Sequence, residues 1–327
     1  MPFLDDAYRL RKESVPHKVA LRIIENLSDV IIDVELNEFH TLIKDNPFYK
    51  KLFKREGKTF KAKKSWSSTI SFDSNVDSLY LVHPDYITNY KEIREKTGSL
   101  LVCNDSDINL LGRMNDKRGY ICIVPEEDRI GHLDSGYQDS WEDAINTCKV
   151  EPINSLIITD NYLFSDIEKR KNTGLFSLLR AVVPTNLCVP FHLAIFSHIG
   201  NNLFHQKEAE KLIAEIKSLF PKDTIKVTII IHTKKSTTHD REMLSNYHRF
   251  TSGAGFSVIK DEDGIAEVAK GNIEPVYHAL VTTLEDHMTT KHFHFQTLHW
   301  LKSIYRREVG IGGGSFIVGD KDHRMLD

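Results

Sequence analysis

Residues 239–257, HDREMLSNYHRFTSGAGFS, concentrate side chains that can handle phosphate. His239 and Arg241 lie two apart after an apolar run, and on an extended strand residues two apart share a face. An imidazole and a guanidinium on one face can both reach a phosphate oxygen, the guanidinium through a two-pronged fork. Asn246 follows, and then Ser252, Gly253 and Gly255 offer small residues where backbone N–H groups can approach an anion. The competing reading is a plain strand and turn with a surface His-Asp-Arg cluster, since short matches recur by chance.

Two further stretches carry chemistry-bearing side chains. Residues 49–66, YKKLFKREGKTFKAKKSW, set Lys58, Lys61, Lys63, Lys64 and four other cations against Glu56 alone, with Tyr49, Phe53, Phe60 and Trp66 interleaved. Such a run can neutralise phosphates and stack on unpaired bases, or can simply be a solvated loop. His287, His292, His294 and His299 crowd a segment read as a helix over 280–305, but the i, i+4 pairing of helical zinc sites is missing. These histidines are therefore read as core or interface positions. No metal site and no cofactor are expected.

The elements that must position these residues follow from periodicity. Residues 36–54 place Phe39, Leu42 and Ile43 on a helical spacing that Pro47 is expected to break. From Ser78 apolar runs alternate with helical ones: SLYLVH, DYITNYKEIREK, SLLVCN and GYICIVP, then a loop over 126–139 and a short helix at 140–149. Near residue 150 the pattern restarts. Strands are predicted at 155–159, 189–196, 225–231, 239–245 and 254–259, with helices at 165–182 and 206–219. Leu212, Ile213, Ile216 and Leu219 form a narrow stripe fit for one sheet face. The fold class is thus α/β, a mixed sheet flanked by helices. Two units are expected, 1–150 and 151–327, the second ending in a helix and a Gly-rich tail that docks on the domain or on a partner. Ser78-Leu-Tyr-Leu followed by Tyr86 and Thr97-Gly98 echoes Ser155-Leu-Ile-Ile followed by Tyr162 and Thr173-Gly174. Residues 1–150 are accordingly either a degenerate copy of the second unit or an unrelated α/β region.

The segment 239–257 resembles the phospholipase D superfamily signature: His-x-Lys, four residues, Asp, then a Gly-Ser-x-Asn-like stretch. His239 takes the histidine position, Arg241 the lysine and Asn246 the aspartate, with 252–257 as the small-residue stretch. Asp160-Asn161-Tyr162 after SLIIT suits the same fold, and the resemblance spans roughly residues 150–280. It implies a histidine attacking phosphorus, a lysine holding the phosphoryl oxygens and an aspartate stabilising the imidazolium. Arg241 can hold phosphate, whereas Asn246 cannot supply the negative charge, and loss of such a carboxylate can cost orders of magnitude in rate. The family also needs two motif copies. His232-x-Lys234 with Asp240 is one residue too long, and His323-Arg324 lacks the spacing. Catalysis would therefore require a homodimer pairing two altered motifs.

The totals narrow the function classes. The 327 residues are 40% hydrophobic and 27% charged, which excludes wholesale disorder. A net charge of −3 leaves polyanion binding to local patches. Cys103, Cys122, Cys148 and Cys188 match no zinc or redox spacing and sit in apolar surroundings, read as buried free thiols of a reducing, cytoplasmic compartment. No apolar run suffices to cross a membrane. The expectation is a phosphate- or nucleic-acid-binding accessory protein on a degenerate phospholipase D-like domain, with a role in bacterial defence as an extension beyond the motif. The alternatives are a metal-independent phosphodiesterase or nuclease working as a homodimer, and a non-catalytic scaffold that binds a protein partner through its tail.

Overall fold

A computed structural model describes residues 2–26, 40, 41, 44, 47, 50, 79–81, 90–102, 104–113, 119–123, 137, 138, 141, 142, 153–165, 167–170, 174–198, 206–232, 241–246, 248–252, 259, 260, 266, 267, 269–275, 290–310 and 316–326. Its helices are α1 (Pro2–Leu10), α2 (Val15–Asn26), α3 (Tyr90–Thr97), α4 (Asp105–Arg113), α5 (Ile167–Arg170), α6 (Phe176–Val182), α7 (Gln206–Ser218) and α8 (Thr290–Gly310). Its strands are β1 (Leu79–Leu81), β2 (Leu100–Val102), β3 (Gly119–Ile123), β4 (Tyr137–Gln138), β5 (Ser155–Thr159), β6 (Phe191–His198) and β7 (Ile225–His232). They continue with β8 (Arg241–Ser245), β9 (His248–Ser252), β10 (Ile259–Lys260), β11 (Ala266–Glu267), β12 (Ala269–Pro275) and β13 (Ile317–Gly319).

The chain is α/β. Nine strands form a mixed open sheet in the order β13-β7-β6-β5-β8-β9-β12-β3-β4. At its centre β5, β6 and β7 run parallel, and their residues are almost all buried because both faces are covered. This is why their sequences read as continuous apolar runs rather than alternating ones. Two crossovers of one hand put α6 and α7 on the same face. There Leu178, Leu179, Leu212 and Ile216 pack with Leu156, Leu193, Ile195, Val227 and Ile229, together with α1, α2 and α4. Each such side chain contributes about 2 kcal/mol by leaving water. On the other face Leu298, Leu301 and Ile304 of α8 close over Ile157, Ala194, Phe196 and Ile230.

The segment Phe316–Leu326 docks on its own sheet. β13 runs antiparallel to β7, and Asp320 continues the seal: its carboxylate accepts Val227 N–H at 2.7 Å and pairs with Lys217 at 2.9 Å. Gly319 has φ +104°, and a Cβ there would lie 2.1 Å from Val227 O, so only glycine fits.

Several expectations need adjustment. Within the predicted helix 165–182 the described residues form α5 and α6, after a 3-10 turn at Leu163–Ser165; residues 166 and 171–173 lie outside the described residues. Residues 248–252 form a strand, β9, that the pattern did not indicate. Pro47 is itself helical, and its fixed φ suits helical backbone even though its N–H is missing. Cys188 is exposed, while its neighbour Val189 is buried. β1 and β2 form a separate two-stranded parallel sheet, whereas β3 and β4 join the large sheet through β12. No helix among the described residues is long and apolar enough to cross a membrane.

Candidate functional site

The carboxyl ends of β5, β6 and β7 meet the start of β8 at one rim of the sheet, the usual ligand-binding place in open α/β sheets. β8 lies antiparallel to β5 with Thr159 opposite Glu242, and Glu242 N–H donates to Thr159 Oγ1 at 3.2 Å. That register brings Arg241 beside Asp160, the first residue after β5. Arg241 Nε donates to Asp160 Oδ1 at 3.3 Å, and the two side chains are only 11% and 8% exposed. Asp160 Oδ1 also accepts Tyr162 N–H at 2.9 Å, which folds the chain back over the pair. The Arg241 guanidinium stands 5.5 Å from the Tyr162 ring centre. Opposite Arg241 on β9, at the backbone level, is Ser252. His239, Gly253 and Gly255, and likewise Lys58, Lys61, Lys63 and Lys64, lie outside the described residues.

Asn246 is not brought to this rim. It follows the far end of β8, whose four steps span about 13 Å. There it pairs with Asn154: Asn246 Oδ1 accepts Asn154 N–H at 3.1 Å, and Asn246 Nδ2 donates to Asn154 Oδ1 at 3.0 Å. Asn154 Nδ2 in turn donates to Thr97 O at 2.9 Å. Every amide orientation is thereby set, since turning either amide over would face oxygen to oxygen. Gly98 makes the junction possible: its φ is +63°, and a Cβ would lie 2.5 Å from Ile153 C. The amide at the motif's carboxylate position therefore ties the α3–β2 segment to the sheet.

Three more clusters hold polar side chains whose pairings the sequence did not indicate. On the α8 face Glu242, 1% exposed, pairs with Arg249 at 2.5 Å. On that face too, His198 and His232 end β6 and β7 with rings 5.8 Å apart, and Trp300 of α8 stands 5.4 Å from His232. At the opposite, amino-end rim, His192 meets the tail. Its Nδ1 accepts Arg324 N–H at 3.2 Å. His323 Nδ1 accepts Met325 N–H at 3.3 Å, leaving Nε2–H for the carbonyls of Leu156 and His192 at 3.1 and 3.0 Å. Burial, aided by the Arg324 cation, pushes His192 down to about 2, and burial pushes His323 down to about 4. Both imidazoles are neutral structural anchors, and their isolated positions in sequence gave no signal. His299, in contrast, is exposed on α8. Among the described residues no group of three or more His, Cys, Asp or Glu is placed to hold a metal ion.

No family model matches the chain, and no curated protein matches it. Function is read from the residues alone.

Proposed function

We propose that this chain is a non-catalytic binding protein on a phospholipase D-like sheet, and that it recognises phosphate-bearing polymers at the Arg241 rim with help from Lys58, Lys61, Lys63 and Lys64. The observation that carries the reading is the separation of Arg241 from Asn246. The cation stands at the rim where ligands of open α/β sheets bind, while the residue at the catalytic-carboxylate position is consumed by Asn154. Asp160 already neutralises much of Arg241, so a phosphate adds to an existing ion pair. Affinity at the rim alone is weak, and the lysine-rich segment supplies the salt-dependent share.

The test has two arms. A generic phosphodiester and DNA are incubated with wild type and His239→Ala in the presence of a chelator; no turnover is expected from either. Binding of nucleic acid is then titrated against salt for wild type, Arg241→Lys and the variant neutralised at Lys58, Lys61, Lys63 and Lys64. Arg241→Lys keeps the pair with Asp160 but loses the fork, and should weaken binding; the lysine variant should flatten the salt slope. Metal-independent cleavage by wild type that His239→Ala abolishes would replace this reading with the homodimeric phosphodiesterase.

A further inference from the structure

We infer that the rim takes single-stranded nucleic acid by stacking an unpaired base on Tyr162, an assignment that rests on the phosphate-binding reading and gives it a ligand class. Tyr162 is 50% exposed, one of three exposed large hydrophobic side chains among the described residues. Its exposure is not that of a loose loop. The backbone N–H is tied to Asp160 Oδ1 at 2.9 Å, and the next residue, Leu163, is 4% exposed and anchored in the core. Leu163 N–H adds a second tie, to Asp160 O at 3.3 Å. The backbone at Tyr162 is therefore held from both sides in sequence while half of the residue faces water.

Behind the ring stands Arg241, 5.5 Å from its centre and itself held by Asp160. A fixed cation near an aromatic ring is attracted to its π face and further orders it. An ordered aromatic loses little freedom when a second ring is laid on it, so more of the stacking energy appears as affinity. Among phosphate-bearing ligands, inorganic phosphate and phospholipid headgroups have no ring to offer. A duplex keeps its bases stacked on one another. An unpaired strand presents both a phosphate and a free π face, and stacking of this kind tolerates any base sequence. A ring and a cation on one rim offer such a strand both a stacking face and a phosphate contact.

The probes are a fluorescent oligothymidylate and an abasic strand with the same number of phosphates, titrated at low salt. Tyr162→Ala should weaken the oligothymidylate on the order of tenfold and leave the abasic strand unchanged, while Tyr162→Phe should keep both. Thermal melting checks that the exposed substitution leaves the fold intact. Equal loss on both strands would reduce Tyr162 to a support for Arg241 and overturn the stacking. An oligothymidylate affinity untouched by Tyr162→Ala, or a wild-type preference for duplex, would overturn it too while the phosphate reading stands. A wild type that binds neither strand fails differently, because it removes the phosphate reading itself and the stacking with it.

Discussion

The two ends of strand β8 use their polar residues in opposite ways. At the amino end Arg241 pairs with Asp160 beneath a half-exposed Tyr162, so a charged pair lies one side chain from water. At the carboxyl end Asn246 and Asn154 bond to each other inside the protein, and nearby the tail brings His323 against His192. The first end keeps charges close to the surface. The second keeps neutral donors and acceptors whose every bond is internal. A motif that spans both ends thus has its residues divided between a rim and a seam.

The contrast can be broken most strongly by acid. Both buried histidines have folded-state values below 6.5, so the unfolded chain takes up protons that the folded chain refuses. Their stabilisation is full above about pH 6.5. It falls as pH drops towards about 4 for His323 and about 2 for His192, at most roughly 1.4 kcal/mol per pH unit per histidine. Urea unfolding measured from pH 7 to pH 4 should show a loss of several kcal/mol, and His323→Gln should make that limb shallower. A stability that stays level over this range would mean that the seam is not sealed.

The next largest effect is expected from Asn246→Asp, which introduces a carboxylate at that position and should gain no activity. The new carboxylate replaces a donor facing Asn154 Oδ1, so two oxygens meet in a buried site, at a cost of about 2–3 kcal/mol. The buried acid's folded pKa is raised by desolvation, so the penalty is present at neutral pH and shrinks as the acid protonates below it. Unfolding midpoints at pH 7 and pH 5 check both the size and the sign. Metal-independent phosphodiester cleavage by this variant would instead place Asn246 in catalysis.

Arg241→Met should cost somewhat less, about 2 kcal/mol, by leaving Asp160 without its cation near the surface. Asp160→Asn added to it should recover part of that loss, which a double-mutant cycle measures. The smallest effect belongs to Tyr162→Ala, no more than about 1 kcal/mol, because the residue is half exposed. A much larger loss would make Tyr162 a structural cover and blur the difference between the two ends.

The central strands were legible because their signal is local. SLIIT, FHLAIF and IKVTIII are too long, too apolar and too β-branched for a loop, and they form β5, β6 and β7 within a residue or two of expectation. The stripe of α7 was equally plain: Leu212, Ile213 and Ile216 do pack on the sheet. β9 was harder, since His248-Arg249-Phe250-Thr251-Ser252 alternates between a covered face and the Glu242 pair, and its polar members read as a turn. The candidate site divided in the same manner. Arg241 and Asp160 could be named from sequence, the former in the motif and the latter in the DNY segment, but nothing local says that they touch.

What the amino-acid sequence determined by itself was therefore the central strands, the apolar stripe of α7, the α/β class and the presence of a cation at the head of β8. Those depend on periodicity and on composition over a few residues. Only the tertiary structure decided what each polar side chain is for, because partners 81 and 92 residues apart become neighbours through the pairing of β8 with β5. One register places Arg241 on Asp160 and Asn246 on Asn154 together. A shift of a single residue in that register would carry each side chain away from its partner.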